Sequence, residues 1–435
     1  MRNMRKTYAL LRRNWLIVLL LTASANVAMA QSTGDTLVMT VQKAEGIFLQ
    51  KNLQLLAAQY NIDAQQALIE QAKLWDNPVV NTDQNIYDSE GGFFKHSDGL
   101  GTFYVQVQQL IKTAGKRSKL AQLATDNTTL AKAQFNDILR TLRYTLITDM
   151  LKVNSLLKQI HVYDAEVESV GNLVRGMDAE LNAGNISLKD FTRLKALLFG
   201  LNSEVSEVQS QLLPVQQEIK LLLQSQDSSF IKPDLSYRFG ELTTMDLPSQ
   251  QLLIDTAKVV RPDAAINQTL LDYNGHNLAY QKALAKPDVQ LGLSYDQRSS
   301  YAPNYVGLQV GLPIPILNRN QGNIKSAQIQ VKQQEAVMSQ TTDRIANEVT
   351  AAVKKVKFYQ LVNNKQQLDF SNQYDFLFGN MVKSFKDRQV NLLEFIDFID
   401  DYKDTKLKLL DQHDNLVNAF AELNFTVNKT IVPIQ

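Results

Sequence analysis

The 435-residue chain is 44% hydrophobic and 20% charged, carries a formal net charge of +1 and contains no cysteine. The missing thiols exclude a disulfide framework, a thiolate metal site, thiol redox chemistry and a lipid-acceptor cysteine. The near balance of charge argues against nucleic acid as a partner.

In chain order, residues 1–30 predict a cleavable secretory signal peptide. Arg2, Arg5, Lys6, Arg12 and Arg13 form a basic start, Trp15 to Leu21 a short apolar run, and Ala28-Met29-Ala30 a small-residue cleavage site ahead of Gln31. The apolar run is well short of the ~20 residues a spanning helix needs, which weighs against an uncleaved anchor. Losing this segment removes five cations and takes the formal +1 to −4. No later run approaches ~18 consecutive apolar residues, so no transmembrane helix is expected.

Residues 52–78 read as a helix closed at Pro78, and an alternating run follows. There Val80, Thr82, Gln84 and Ile86 face away from Asn81, Asp83 and Asn85. A second alternating run sets Phe103, Val105, Val107, Gln109 and Ile111 against Tyr104, Gln106 and Gln108. Between them lies a Gly-rich polar loop, Asp88 to Gly101. From Gly115 to about Gly184 the apolar steps of three and four predict one helix roughly 100 Å long. Its partner carries a heptad seam: Phe191, Leu194, Leu198, Leu201, Val205, Val208, Leu212, Val215, Ile219 and Leu222. Pro214 should kink that helix.

The second half repeats the plan. Residues 261–287 again form a helix closed by a proline. Val289, Leu291, Leu293 and Tyr295 then oppose Gln290, Gly292 and Ser294; Val306, Leu308, Val310, Leu312 and Ile314 oppose Gly307, Gln309 and Gly311. A helix on the order of 90 Å is expected from Ile324 to about Phe385. Another follows from Leu392 to about Leu423, with Lys406 and His413 near its seam. The halves also match at Ile186-Ser187-Leu188-Lys189-Asp190-Phe191 against Val390-Asn391-Leu392-Leu393-Glu394-Phe395. Such pairs indicate a duplicated unit. The expected organisation is a signal peptide over 1–30, a first repeat over 31–232 and a second over 233–435. The hairpins fall at 79–111 and 288–314, and the long helices at 115–224 and 320–424.

Runs of about 9–11 residues, apolar on one face and polar or small on the other, are outer-membrane β-barrel strands in pattern. Aromatics at Tyr87, Phe93, Phe94, Phe103, Tyr104, Tyr295 and Tyr305 sit where an interfacial girdle would place them. Four strands cannot close a barrel, and lipid tolerates no open edge. Three copies give twelve strands and an open lumen, whereas two give the filled kind of barrel. The expected fold is mainly α with a small β part: a homotrimeric barrel in outer-membrane lipid, continued by a periplasmic α-helical barrel.

At this point the chain resembles the TolC-like outer-membrane efflux channels. The resemblance rests on Leu37 to Ala44, on Asp76-Asn77-Pro78, on Val105-Gln106-Val107-Gln108-Gln109 before Gly115-Lys116-Arg117, and on Leu312 to Ile324. The last piece, with Asn318-Arg319-Asn320-Gln321-Gly322, is similar to the heavy-metal cation efflux branch. The resemblance implies a trimeric duct docked to a periplasmic adaptor and an inner-membrane pump of the resistance-nodulation-division type. Many relatives carry a lipidated cysteine; this chain has none, so that anchor is not carried over.

Glu394, Asp397 and Asp401 share one helical face, flanked by Asp400, with Phe395, Phe398 and Tyr402 on the adjacent face. Acidic stripes of this kind are usually solvated helix faces. The resemblance places pore-narrowing carboxylates at Glu394 and Asp397, and threefold repetition would make rings that favour cations. His96, His161, His276 and His413 show no i, i+4 pair, and no phosphate loop is present. No enzymatic activity, cofactor or metal site is expected. Two alternatives stay open on the residues: a periplasmic coiled-coil adaptor or scaffold outside the membrane, and the outer-membrane component of a type I protein exporter.

Overall fold

A computed structural model describes residues 36–95, 101–235, 239–363 and 365–433. The expected signal segment and residues 96–100 of the first hairpin loop lie outside the described residues. The first half runs β1 (Thr36–Thr40), α1 (Val41–Lys51), α2 (Leu53–Lys73), β2 (Val79–Gln84), β3 (Tyr87–Asp88), β4 (Gly92–Phe93), β5 (Phe103–Ile111), α3 (Lys116–Asn182) and α4 (Leu188–Leu223). The second runs β6 (Phe230–Asp234), α5 (Phe239–Thr244), α6 (Gln250–Val260), α7 (Pro262–Leu284), β7 (Val289–Arg298), β8 (Pro303–Gly311), α8 (Gln321–Val362), α9 (Lys365–Lys386) and α10 (Leu392–Val427). No described helix is long and apolar enough to cross a membrane.

The four main strands form one antiparallel sheet in the order β2-β5-β7-β8, so the hairpins of the two repeats join side by side. Val80, Val107, Leu293 and Leu308 stand opposite one another across all four strands, as do Asn81, Gln106, Ser294 and Gly307 one residue along. The first row is apolar and the second polar, so the alternation read from sequence becomes two chemically distinct faces of one wall. The outer strands β2 and β8 each have one neighbour within the described residues, leaving two open edges.

The helices inherit the sheet's order. α2 packs on α3, α3 on α7 and α7 on α8, and these four adjoin β2, β5, β7 and β8 in turn. α3 is a 67-residue helix, about 100 Å long at 1.5 Å per residue. Both barrel-to-helix entries begin on left-handed backbone: Ala114 and Gly115 before α3, Asn320 before α8. Asn52 ends α1 and caps α2, accepting from the N–H groups of Gln54 and Leu55 at 3.0 and 3.1 Å. Its own amide donates to the Leu222 carbonyl, fastening this corner to the end of α4.

All ten expected seam residues of α4 lie in or against the core shared with α3. α4 runs unbroken through Pro214. Pro214 is exposed, so the Ser210 carbonyl that loses its N–H partner faces outward, where solvent can meet it. The second half departs from expectation. The helix anticipated from Ile324 to Phe385 is interrupted at Asn363, whose backbone leaves the helical region at φ −91, ψ 59. The buried Asn363 amide donates to the Tyr359 carbonyl at 2.8 Å and to the Gln412 carbonyl of α10 at 3.0 Å. A side chain that competes for a helix carbonyl and docks on a neighbour ends the helix locally. Lys406 and His413, polar at seam positions, are both accommodated: Lys406 pairs with Asp375 at 2.7 Å, and His413 lies against the Phe239 ring.

Candidate functional site

The polar face of the sheet is rich in glutamine and glycine and also carries Asn81, Asp83, Ser294 and Asp296. Gln106 and Gln108 come from β5, Gln290 and Gly292 from β7, Gly307, Gln309 and Gly311 from β8. The Gln108 amide donates to Gln106 Oε1 at 2.6 Å and the Gln290 amide to Gln108 Oε1 at 2.8 Å. Gln106 in turn donates to Gln309. The opposite face holds Val80, Val107, Leu293, Val306, Leu308 and Val310, all exposed, Leu308 at 72%. A wall that shows valine and leucine to one side and hydrogen-bonded amides to the other suits a boundary between lipid and water. Ring pairs Tyr87–Phe93, Phe103–Tyr295 and Tyr301–Tyr305 collect at the loop end of the strands.

At the other end of the sheet, cations fix the turn into the helices. Lys116, the first residue of α3, places Nζ 2.6 Å from Asp288 Oδ1 and 2.7 Å from the Lys286 carbonyl. Asp288 Oδ1 also accepts the Thr113 N–H at 2.8 Å. Lys112 pairs with Asp76 at 2.9 Å, and Arg117 stacks on Trp75. Lys116, at the start of α3, is therefore a buried tie between the repeats.

The far tip carries two turns of one design. The α3–α4 turn has Gly184 at φ +73, with N–H groups of Gly184 and Asn185 closing onto the carbonyls of Leu181 and Glu180. The α9–α10 turn has Arg388 at φ 59, with Arg388 and Gln389 closing onto Phe385 and Ser384. Both are helix ends of the Schellman kind. Ser187 then caps α4 through the Asp190 N–H, and Asn391 caps α10 through the Glu394 N–H. Arg388 bonds Glu180 at 2.6 Å, so the two turns touch.

On α10 the aromatic side packs inward. Phe395 stacks on Phe385 with centroids 4.3 Å apart, Tyr402 on Phe378 at 4.3 Å, and the Tyr402 hydroxyl donates to Asp375 at 2.7 Å. Glu394, Asp397, Asp400 and Asp401 are all exposed. Asp400 turns towards Lys403, 3.6 Å away. Among the described residues Glu394, Asp397 and Asp401 have no cation within 4 Å.

Sequence reading missed a buried ionic junction behind this tip. Glu166 of α3 is fully buried, with neither carboxylate oxygen hydrogen-bonded. Lys403 of α10 reaches Glu204 of α4 at 3.1 Å. Burial pushes the Glu166 carboxyl up to about 8, with Lys403 drawing it down and Glu204, Asp400 and Asp404 driving it further up. The available signal was Lys403 itself, a cation among acids next to the seam tyrosine.

Known proteins share this architecture. Residues 46–224 match the family model of outer membrane efflux proteins. The cobalt-zinc-cadmium resistance protein CzcC of Cupriavidus metallidurans is 23% identical over 315 residues, 70% of this chain and 72% of that protein. The structure of CusC, described with transmembrane channel formation, superposes with a TM-score of 0.70 at 16% identity, covering 92% of this chain and 95% of that one. The Campylobacter jejuni CmeC outer membrane channel gives 0.71 at 12% identity, with 90% and 86% covered. The likeness to both structures is one of fold.

Proposed function

We propose a specific duty for this chain, which belongs to the outer membrane efflux protein family and forms an outer-membrane exit duct without enzymatic activity: it releases metal cations delivered by an inner-membrane pump. The observation that carries the reading is the four-stranded sheet with two open edges, exposed valine and leucine on one face and amides on the other. Its order passes unchanged into α2, α3, α7 and α8. An open-edged sheet is stable in lipid only when β8 of one copy pairs with β2 of the next. Three copies close a twelve-stranded barrel over a helical tunnel in the periplasm.

Residues 1–30 serve as the export signal. The tip of the tunnel meets a periplasmic adaptor, and a pump of the resistance-nodulation-division type supplies the driving force. Glu394, Asp397 and Asp401 line the narrowest passage as acidic rings, with Asp400 held aside by Lys403. The likeness to CzcC, a cobalt-zinc-cadmium resistance protein, supports divalent metal ions as the cargo. A duct needs to attract such a cation without retaining it, and carboxylates at the entrance followed by a barrel face made mostly of amides, with Asp83 and Asp296 towards the loop end, meet that need.

The test is conductance of the detergent-purified mature protein in planar bilayers, with reversal potentials in asymmetric salt. Cation-selective channels are expected. A folded trimer that conducts without selectivity would remove the acidic gate. Failure to insert would remove the duct.

A further inference from the structure

The lumen-side glutamines interlock in one direction. Gln290 donates to Gln108, Gln108 to Gln106, and Gln106 to Gln309; Gln108 also reaches Gln309 Oε1 at 3.3 Å. The chain crosses three strands, β5, β7 and β8, and ends on an oxygen that accepts from both β5 glutamines. Gln106 is only 7% exposed although it lies on the polar face. Its burial comes from this neighbourhood.

Gly292 explains how the chain lies flat. It stands between Gln108 and Gln309 in the strand register. A Cβ built there would meet Gln108 Cγ at 3.2 Å, Gln106 Nε2 at 3.4 Å and Gln309 Cβ at 3.5 Å. The glutamines of β5 therefore rest in the space a side chain at 292 would occupy. Stretched inward instead, their amides would enter the bore.

We propose that Gln106, Gln108, Gln290 and Gln309 form an amide clasp, seated on Gly292, that sets the bore of the barrel at this level. The inference rests on the trimeric-duct reading. The clasp turns three amide oxygens, those of Gln106, Gln108 and Gln309, onto neighbouring amides, and that of Gln309 is filled by two of them, so fewer acceptors face a passing cation than in a barrel with the amides extended. Selectivity then belongs to the tip, and free passage to the barrel. These four glutamines and Gly292 are positioning residues for conduction.

The experiment compares wild type, Gly292→Val and Gln309→Leu as purified trimers in planar bilayers with potassium chloride and zinc chloride, with Leu308→Ile on the apolar face as control. Gly292→Val unseats Gln106 and Gln108 in all three copies and should lower conductance by about half. Gln309→Leu removes the shared acceptor and should lower conductance and add current noise, with cation selectivity unchanged. Leu308→Ile should match wild type. Where Gly292→Val fails to migrate as a trimer, Gln309→Leu, which adds no bulk, decides. Wild-type conductance and noise in intact trimers of the variants would overturn the clasp and leave the duct standing. A wild-type protein that never conducts would overturn the duct, and the clasp with it.

Discussion

Arg388 Nη2 lies 2.6 Å from Glu180 Oε2, joining the turn between α9 and α10 to the last turn of α3. Arg388 occupies the place that Gly184 holds in the first repeat, on the same left-handed backbone. A non-glycine residue there costs roughly 1–2 kcal/mol. The exposed ion pair returns about 0–1 kcal/mol. Arg388→Gly should therefore leave stability within about 1 kcal/mol of wild type. It should still raise single-channel conductance, because the pair is a direct polar link between the two tip turns. Thermal unfolding and bilayer recordings on the same preparation check both halves of this expectation. Lower stability with unchanged conductance would make the pair a fold contact only.

The proposed acidic rings give a second expectation. Asp397 and Asp401 are exposed and have no cation within 4 Å among the described residues, so neutralising them leaves no buried partner stranded. Asp397→Ala with Asp401→Ala should raise conductance and weaken cation over anion selectivity, with little change in stability. Asp400→Ala should do less for selectivity, since Lys403 already screens that carboxylate. Equal effects from both sets would mean that charge near the tip acts collectively rather than as rings. Unchanged conductance in the double variant would count against the gate.

What could be read from the sequence follows its periodicities. Strand faces, the α4 seam and the 67-residue α3 were visible because period two and period 3.6 repeat over many residues. The likeness of the two turns was visible as the match of residues 186–191 with 390–395, but their cap bonds, Ser187 with Asp190 and Asn391 with Glu394, were not. The break at Asn363 was not, because it depends on the Gln412 carbonyl, 49 residues away, accepting its amide. The Glu166–Lys403–Glu204 junction joins three helices from both repeats, and no local pattern announces such a meeting. The clasp was half visible: the inward glutamines could be placed on one face, but not their mutual bonds over Gly292.

The junction behind the tip predicts a pH dependence. Glu166 is raised when folded, from an ordinary value near 4.5 to about 8. Its stabilising share is thus complete below about pH 4.5 and is lost as pH rises through 8. Glu166→Gln keeps the shape and cannot ionise. The variant and wild type should unfold alike at pH 4.5, and the variant should be the more stable at pH 9, by roughly 2 kcal/mol. Asp149, pushed up to about 7 chiefly by burial and further by Glu218, is present in both and cancels from the difference. Parallel stability curves for the two proteins would show that Glu166 is already paired or hydrated in the trimer.

The barrel-to-tunnel joint gives the last expectation. Lys116 is 5% exposed in its side chain and serves two acceptors from the other repeat, Asp288 Oδ1 and the Lys286 carbonyl. Lys116→Ala would leave Asp288 with the Thr113 N–H, the more distant Lys112 charge and partial access to solvent, and should cost roughly 1–2 kcal/mol. Lys116→Met keeps most of the stem but not the charge and should cost about as much, because the weakened pairing of Asp288 is the cause. Lys116→Met with Asp288→Asn removes both charges together and should recover at least half of the loss. Heat-dependent dissociation of the trimer on a gel reads all three. A double variant as weak as the single ones would mean that packing of the lysine stem, and not the ion pair, holds the strands to the head of α3.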